Sequence, residues 1–481
     1  MTITFVPAKE TSAQRRARRA AEREAARRIH DEEKTAIVSM PTTNVPRYGL
    51  REDWNWRGPV SVRPPVHRVS TRVLQAAYPF VAGTGAPTKG GLIGENMFKR
   101  RGYSLSPWEA YAAGQARSFA VAIFGPPGTG KSMGCKVWAN RLLSDGVRFA
   151  VPSDPKGEWT VLAEKAQGRT ISVKPGGRHV LNLLDPGPDR PDLGREEYTE
   201  LVLQQRRSTL RKVVGILRGS AGLADVEHTA LDLALGEVLT RTDSPTAGAV
   251  LDALLKPAPA TRALVGDGGR NLYHTLRRLV EGDVRGMFDT QSTIAFDTSV
   301  PIMTVDTSGL KYTSKEGQAI ATLATSNWIK QAISATKERR VIVHEEAAIG
   351  LLADVNSSGS GLDDKTAQEK LGRDDNTSNW YLFHRGSDLD ALGDEGSAIR
   401  AQAQGLIADT DIRVAFGQTA DTVGYVARTL GLNRTQAELT LHFEPGEALF
   451  LVGREEADVV RIQPSDDEWH AFKTDTVERE H

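Results

Sequence analysis

The 481-residue chain has a single cysteine, Cys135, so it cannot form an intramolecular disulfide, and a reducing cytoplasm is the expected setting. It also lacks net charge: 61 Lys and Arg stand against 61 Asp and Glu. Bulk electrostatics therefore hold it to neither nucleic acid nor membrane, and any such contact has to come from a local patch. No apolar run approaches the roughly 18–20 residues that span a bilayer. The N-terminal MTITFVPAKETSAQRRARR has no apolar core of the secretory kind. Zinc-type Cys/His spacing is missing, as is a G-x-S-x-G nucleophile elbow. His228 and His274 fall in helical stretches and read as packing or surface residues. No internal repeat is visible. What remains is a charge-balanced chain, 39% hydrophobic, of a length suited to roughly two to three domains.

The N-terminal 70 residues read as a basic, largely disordered arm and linker. Residues 12–34 (SAQRRARRAAEREAARRIHDEEK) suit one exposed helix whose only bulky apolar residue is Ile29. It is either a basic arm for DNA, acidic lipid or a partner, or a solvated tail. Residues 40–70 are rich in Pro and Arg, with Trp54 and Trp56 as possible anchors. From 118 onward short apolar runs alternate with helical periodicity. Strands are predicted at 118–124, 147–154, 170–174, 294–297, 301–307, 340–346, 380–384 and 411–417, with a closing hairpin over 447–463. Helices are predicted at 131–146, 197–217, 226–241, 315–334, near 395–405 and near 421–431; ALVGDGGRN (263–271) breaks the pattern, and 353–376 is polar. Strand–helix–strand order at this spacing predicts a parallel sheet. The expected organisation is an α/β domain in two parts, 71–194 and 291–465, with an all-α lobe inserted at 195–290 and a tail at 466–481.

GPPGTGKS (125–132) matches G-x-x-x-x-G-K-[ST], follows an apolar strand and opens a helix. Gly125, Pro126, Pro127, Gly128, Thr129 and Gly130 form a loop whose backbone N–H groups converge on phosphate oxygens. Lys131 supplies positive charge to the β- and γ-phosphates, Ser132 a hydroxyl to Mg²⁺, and the helix its positive dipole end. VIVHEEA (341–347) is an apolar strand that ends in acid: Glu345 is the candidate for the metal and Glu346 for polarising the attacking water. The bland alternative is a buried strand ending in two exposed glutamates. No N-K-x-D tetrad of a GTPase is found, and the long sheet-plus-insert region suits a motor ATPase better than a small-molecule kinase. The helix N-terminus could activate Cys135, but a small buried filler fits it better; Trp138 reads as core or nucleotide-flanking packing.

The second strand is followed by SDPKGEW (153–159) and LAEKAQGRTISVKPGGRHVLNLLDPG (162–187), and later by LVEGDVRGMFDTQSTIAFDTSVPIMTVDTSGL (279–310). Together with PWEAYAAG (107–114), these runs resemble the VirB4/TraC-like conjugation ATPases of the FtsK–HerA motor class, over about residues 100–465. DPKGE alone is shared with the coupling-protein branch; the later blocks are similar to the VirB4 branch, and the PWEAY run to actinobacterial members. The resemblance implies a RecA-like P-loop fold, ATP and Mg²⁺ as ligands, and a homo-oligomer, most simply a hexamer. It places Asp154, Lys156 and Glu158 beside the nucleotide, and Glu345 and Glu346 on the family's Asp-Glu pair. His384 of HRGSDL falls where a γ-phosphate-sensing Gln is usual, and Gln418 is a further polar candidate at the end of the next strand. Arg373 falls on an arginine finger for the neighbouring subunit, or is a plain loop arginine.

The function implied is an ATP-hydrolysing motor of type IV secretion or conjugation, peripheral to the inner face of the membrane, with secretion-channel proteins as partners and DNA as a candidate one. The family's usual long N-terminal domain is expected to be missing, as are the coupling proteins' membrane-tethering helices. Two other readings stay open: a DNA translocase of the same superfamily, and an ATP-gated assembly protein with little turnover.

Overall fold

The computed structural model describes residues 90–190, 192–219, 222–295, 297–334, 336–345, 376–384, 405, 407, 410–453 and 456–473. Glu346, Arg373, Trp54, Trp56, the arm at 12–34 and all but the ends of the segments expected at 353–376 and 395–405 lie outside them. The chain divides into two compact units: residues 1–83 with Leu432–Glu438, and Thr84–Gly431 with Leu439–His481. Of the first unit the described residues are Leu432–Glu438, which supply most of a short helix, Arg434–Thr440. All that follows concerns the second unit.

Its strands are β1 (Leu92–Asn96), β2 (Arg101–Ser104), β3 (Val121–Phe124), β4 (Arg148–Asp154), β5 (Arg169–Ser172), β6 (Ile302–Asp306), β7 (Arg340–His344), β8 (Thr377–Phe383), β9 (Ile412–Phe416), β10 (Glu447–Val452) and β11 (Glu456–Ile462). They join in one sheet of order β2-β1-β11-β10-β9-β3-β8-β7-β4-β6-β5. From β9 to β5 every pairing is parallel; β10, β11, β1 and β2 extend the sheet antiparallel beyond β9. β3 reads as a continuous apolar run because both its faces are covered. Val121–Phe124 is buried at every position.

Alternation along these strands divides the interior in two. Phe149 and Val151 of β4 and Val341 and Val343 of β7 join one cluster, with α2 (Lys131–Ser144) and α3 (Glu158–Lys165). Ala150 and Ile342, one residue out of phase, join the other. That second cluster is closed by the helical lobe, α4 (Arg195–Arg218), α5 (Asp225–Leu239), α6 (Ala247–Leu255) and α7 (Pro259–Glu281), and by α8 (Lys315–Ser334). A further helix, α1 (Pro107–Ala112), precedes β3, and another, α9 (Val423–Leu430), follows β9. Trp138 belongs to the core: its ring lies 4.3 Å from that of Trp380 at a 31° tilt, and its indole N–H donates to the Leu105 carbonyl at 2.9 Å. Among the described residues no helix is long and apolar enough to cross a membrane.

ALVGDGGRN breaks the helix as expected: two helices meet there in a kink at Gly266 (φ 46°, ψ −126°), and α7 spans both. Burial of Val265 before the kink and of Leu272, Leu276 and Leu279 after it holds both parts in the core. One expectation from sequence does not hold. Residues 294, 295 and 297 form no strand. The segment before them is tied instead to the 180–183 loop, where Thr293 N–H donates to the Val180 carbonyl (2.9 Å) and Asn182 N–H to Ser292 Oγ (2.8 Å).

Residues 466–472, expected to begin a tail, form a helix with a Ser465/Glu468 capping box. The buried Glu468 carboxylate accepts from Arg141 Nε and Nη2 (2.9 and 2.6 Å) and from Asn140 (2.8 Å) of α2. These donors hold its pKa down to about 2 although burial pushes the other way. A depressed carboxylate stabilises the fold above its unfolded pKa, and this is lost as pH falls through the folded value. Glu468→Gln is therefore expected to cost roughly 2–3 kcal/mol at neutral pH. In urea melts the difference should shrink as pH falls from about 4.5 towards 2; a pH-independent difference would contradict the assignment.

Candidate functional site

Parallel strands bring their carboxyl ends to one edge. In the order β9-β3-β8-β7-β4 the segments that follow five of them converge there. They are Gln418 after β9, Gly125–Ser132 after β3, His384 after β8, Glu345 after β7, and Asp154 with Lys156 and Glu158 at the end of β4. Register makes this concrete: Phe124 pairs with Phe383 and with Ala415, His344 with Tyr381, and Ser153 with His344. β8 lies between β3 and β7, so His384 leaves the sheet between the glycine-rich loop and Glu345.

The loop is braced from several sides. Gly125 N–H donates to the Phe383 carbonyl (3.2 Å) and Thr129 Oγ1 to the Pro126 carbonyl (2.8 Å). Gly128 and Gly130 sit at φ +84° and +83°, where a side chain is strained. A Cβ on Gly130 would also lie 2.6 Å from Gly446 N, whose N–H donates to the Thr129 carbonyl at 2.9 Å. Pro127 and Gly128 are exposed, Ser132 is half-buried, and no side chain caps the start of α2. Its first-turn N–H groups are left for a ligand or water.

Lys131 is buried, and its Nζ has no hydrogen-bond partner among the described residues. Burial lowers its pKa; the charges of Glu345 and Glu158 oppose that shift and Lys156 adds to it. Glu345 is equally buried: Oε2 accepts from the Trp159 indole at 2.7 Å, while Oε1 has no partner among the described residues. Two buried, oppositely charged groups with unmade bonds thus share one site, an arrangement that costs several kcal/mol unless a ligand completes it. A phosphate would satisfy the lysine. Glu345 Oε1 and the Ser132 hydroxyl have the hard-oxygen character that Mg²⁺ takes. Among the described residues no cluster of three or more His, Cys, Asp or Glu side chains could hold a metal alone, so phosphate oxygens would have to complete any such sphere.

The DPKGE residues play different parts. Asp154 is fully buried and caps α3, accepting from the N–H groups of Glu158 (2.9 Å), Trp159 (2.8 Å) and Thr160 (3.2 Å). Burial raises its pKa to about 6 against those bonds. Glu158 faces the buried Lys136 ammonium at 3.6 Å, and Lys136 also donates to the Phe472 carbonyl at 3.1 Å. Lys156 is exposed and acts on the site through its charge. Gln418 is buried, but Nε2 is spent on the Phe416 carbonyl (2.9 Å) and Oε1 accepts from Thr422 (3.1 Å). Cys135 lies in the core, and burial pushes its thiol up to about 12, so the helix N-terminus does not activate it. Glu346 and Arg373 lie outside the described residues. Trp159, which sequence reasoning passed over, joins the tip of β4 to the tip of β7; nothing in local periodicity signals that contact.

Sheet order, loop and site together define a RecA-like P-loop nucleoside-triphosphatase fold with a mainly parallel sheet and an all-α lobe. This is the fold of the VirB4 and TrwB proteins. VirB4 of Thermoanaerobacter pseudethanolicus matches with a TM-score of 0.66 at 19% identity, over 80% of this chain and 99% of that one. The bacterial conjugative coupling protein TrwBdeltaN70, in complex with sulphate, gives 0.50 at 12% identity over 80% and 97%. The plasmid coupling protein TrwB, in complex with the non-hydrolysable ATP analogue ADPNP, gives 0.50 at 14% identity over 80% and 96%. No protein-family model and no curated protein matches the chain.

His384 is half-buried beside Lys131 and Lys156, and burial first, then those charges, lowers its pKa to about 3. A depressed histidine stays neutral in the folded state while the unfolded state binds a proton, so stability falls as pH drops below about 6.5. His384→Gln removes that term. Wild type should lose more melting temperature than His384→Gln between pH 7 and pH 5; parallel losses would place the imidazole in water.

Proposed function

We propose that the chain binds Mg-ATP at this edge and hydrolyses it as the motor of a conjugation or type IV secretion machine of the VirB4 kind. The observation that carries the reading is the Lys131 ammonium, buried without a hydrogen-bond partner among the described residues at the uncapped start of α2. Lys131 would neutralise the β- and γ-phosphates while loop amides of Gly125–Gly130 cradle them. Ser132 and Glu345 would hold Mg²⁺. When bound, that ion adds positive charge between the phosphates. Glu346 would orient the attacking water and take its proton. His384, kept neutral, would offer one hydrogen bond rather than a charge to the γ-phosphate. Lys156 adds positive potential at the rim, and Asp154, Glu158 and Gln418 build the walls. Arg373 would act on a neighbouring subunit's nucleotide, which requires a homo-oligomer, most simply a hexamer.

The TM-score of 0.66 against VirB4 supports that branch, with channel proteins at the inner face of the membrane as partners. The likeness to TrwB, at 0.50, favours the second reading, a coupling-type DNA translocase. A third, ATP-gated assembly with little turnover, draws on Glu345 and His384 standing where Asp and Gln are usual.

The test is steady-state Mg-ATP hydrolysis by wild type, Lys131→Ala and Glu346→Gln, with and without DNA. Lys131→Ala should lose about a hundredfold or more, and Glu346→Gln should abolish turnover while keeping nucleotide. DNA stimulation that weakens with salt would select the translocase. Turnover unchanged in Lys131→Ala would remove the reading.

A further inference from the structure

We propose that Trp159 is the positioning residue of Glu345: its indole N–H fixes one carboxylate oxygen and so sets where the other meets the metal. This rests on the nucleotide-site reading above.

The two residues are 186 positions apart, and the 2.7 Å bond between them is buried. Packing alone does not require it. Among the described residues, Trp380 is fully buried in the same cluster with no hydrogen-bond partner at Nε1, and Trp108 and Trp138 donate to backbone carbonyls, those of Asn376 and Leu105. Trp159 instead donates to a carboxylate, a stronger, charge-assisted bond.

The bond has a purpose in a site that uses glutamate. Glutamate has one more rotatable bond than aspartate, and a free extra torsion spreads the carboxylate over several positions. Locking Oε2 removes that freedom and leaves Oε1 as the atom with no partner among the described residues. Trp159 is itself held. Its backbone N–H donates to Asp154 Oδ2 at 2.8 Å within the three-amide cap of α3, and its side chain is 2% exposed. Asp154 at the tip of β4 therefore fixes α3, α3 fixes Trp159, and Trp159 fixes Glu345 beyond the tip of β7. Through this chain of contacts the DPKGE turn would act on the metal position.

The experiment is Mg²⁺-dependent binding of a fluorescent ATP analogue to the full chain, in wild type, Trp159→Phe, Glu345→Gln and the double variant. Trp159→Phe keeps a ring in the core and deletes the donor. It should raise the Mg²⁺ needed for half-maximal tight binding about five- to twentyfold, with metal-free binding within about twofold of wild type. In the Glu345→Gln background the same change should add little, because both act on one atom. An unshifted Mg²⁺ dependence, or an equal effect in both backgrounds, overturns the proposal. A second measurement needs no Trp159 variant. In ¹⁵N-indole spectra without nucleotide, Glu345→Gln should move one indole resonance upfield; spectra identical to wild type also overturn the proposal. Absence of nucleotide binding by wild type, with that resonance moving, would instead remove the nucleotide reading and leave the contact standing.

Discussion

A lysine ammonium buried with no hydrogen-bond partner among the described residues is the constraint on which the rest of the site depends. An unpaired buried charge costs several kcal/mol, and here the cost is built in: Lys131 lies beside a glutamate that is itself half-satisfied. Such a pair is tolerated because the surrounding sheet is rigid and buried on both faces. It is useful because a polyanion with a hard cation completes both partners at once. The glycine loop, the uncapped helix and the neutral histidine all serve that single exchange of unmade bonds for ligand bonds.

Topology supplies the convergence. Parallel strands end at one edge, and placing β8 and β7 between β3 and β4 lines the phosphate loop, His384, Glu345 and the DPKGE turn along it. The antiparallel extension beyond β9 then braces the loop from behind, through the Gly446 amide on the Thr129 carbonyl. The C-terminal helix reaches the same region through Glu468 on Arg141 and the Phe472 carbonyl on Lys136.

Much of this was legible in the sequence, for physical reasons. The phosphate loop has fixed spacing because backbone amides need glycine at set positions, and the strand before it, β3, is apolar throughout. Other parts were not. The β1–β2 hairpin carries Gly91, Gly94 and Gly102, which erase alternation; Gly94 is required because a Cβ there would lie 2.1 Å from the Arg461 carbonyl oxygen. The Trp159–Glu345 bond joins segments 186 residues apart, and only the sheet order brings them together.

The most direct test of the central claim is calorimetric binding of ATP, with and without Mg²⁺, to wild type and to Lys131→Met, which keeps length and burial but removes the charge. The account predicts that wild type binds, that Mg²⁺ tightens the binding, and that Lys131→Met loses it with its fold intact. Equal binding by the two proteins would mean that Lys131 is not completed by phosphate and would contradict the account.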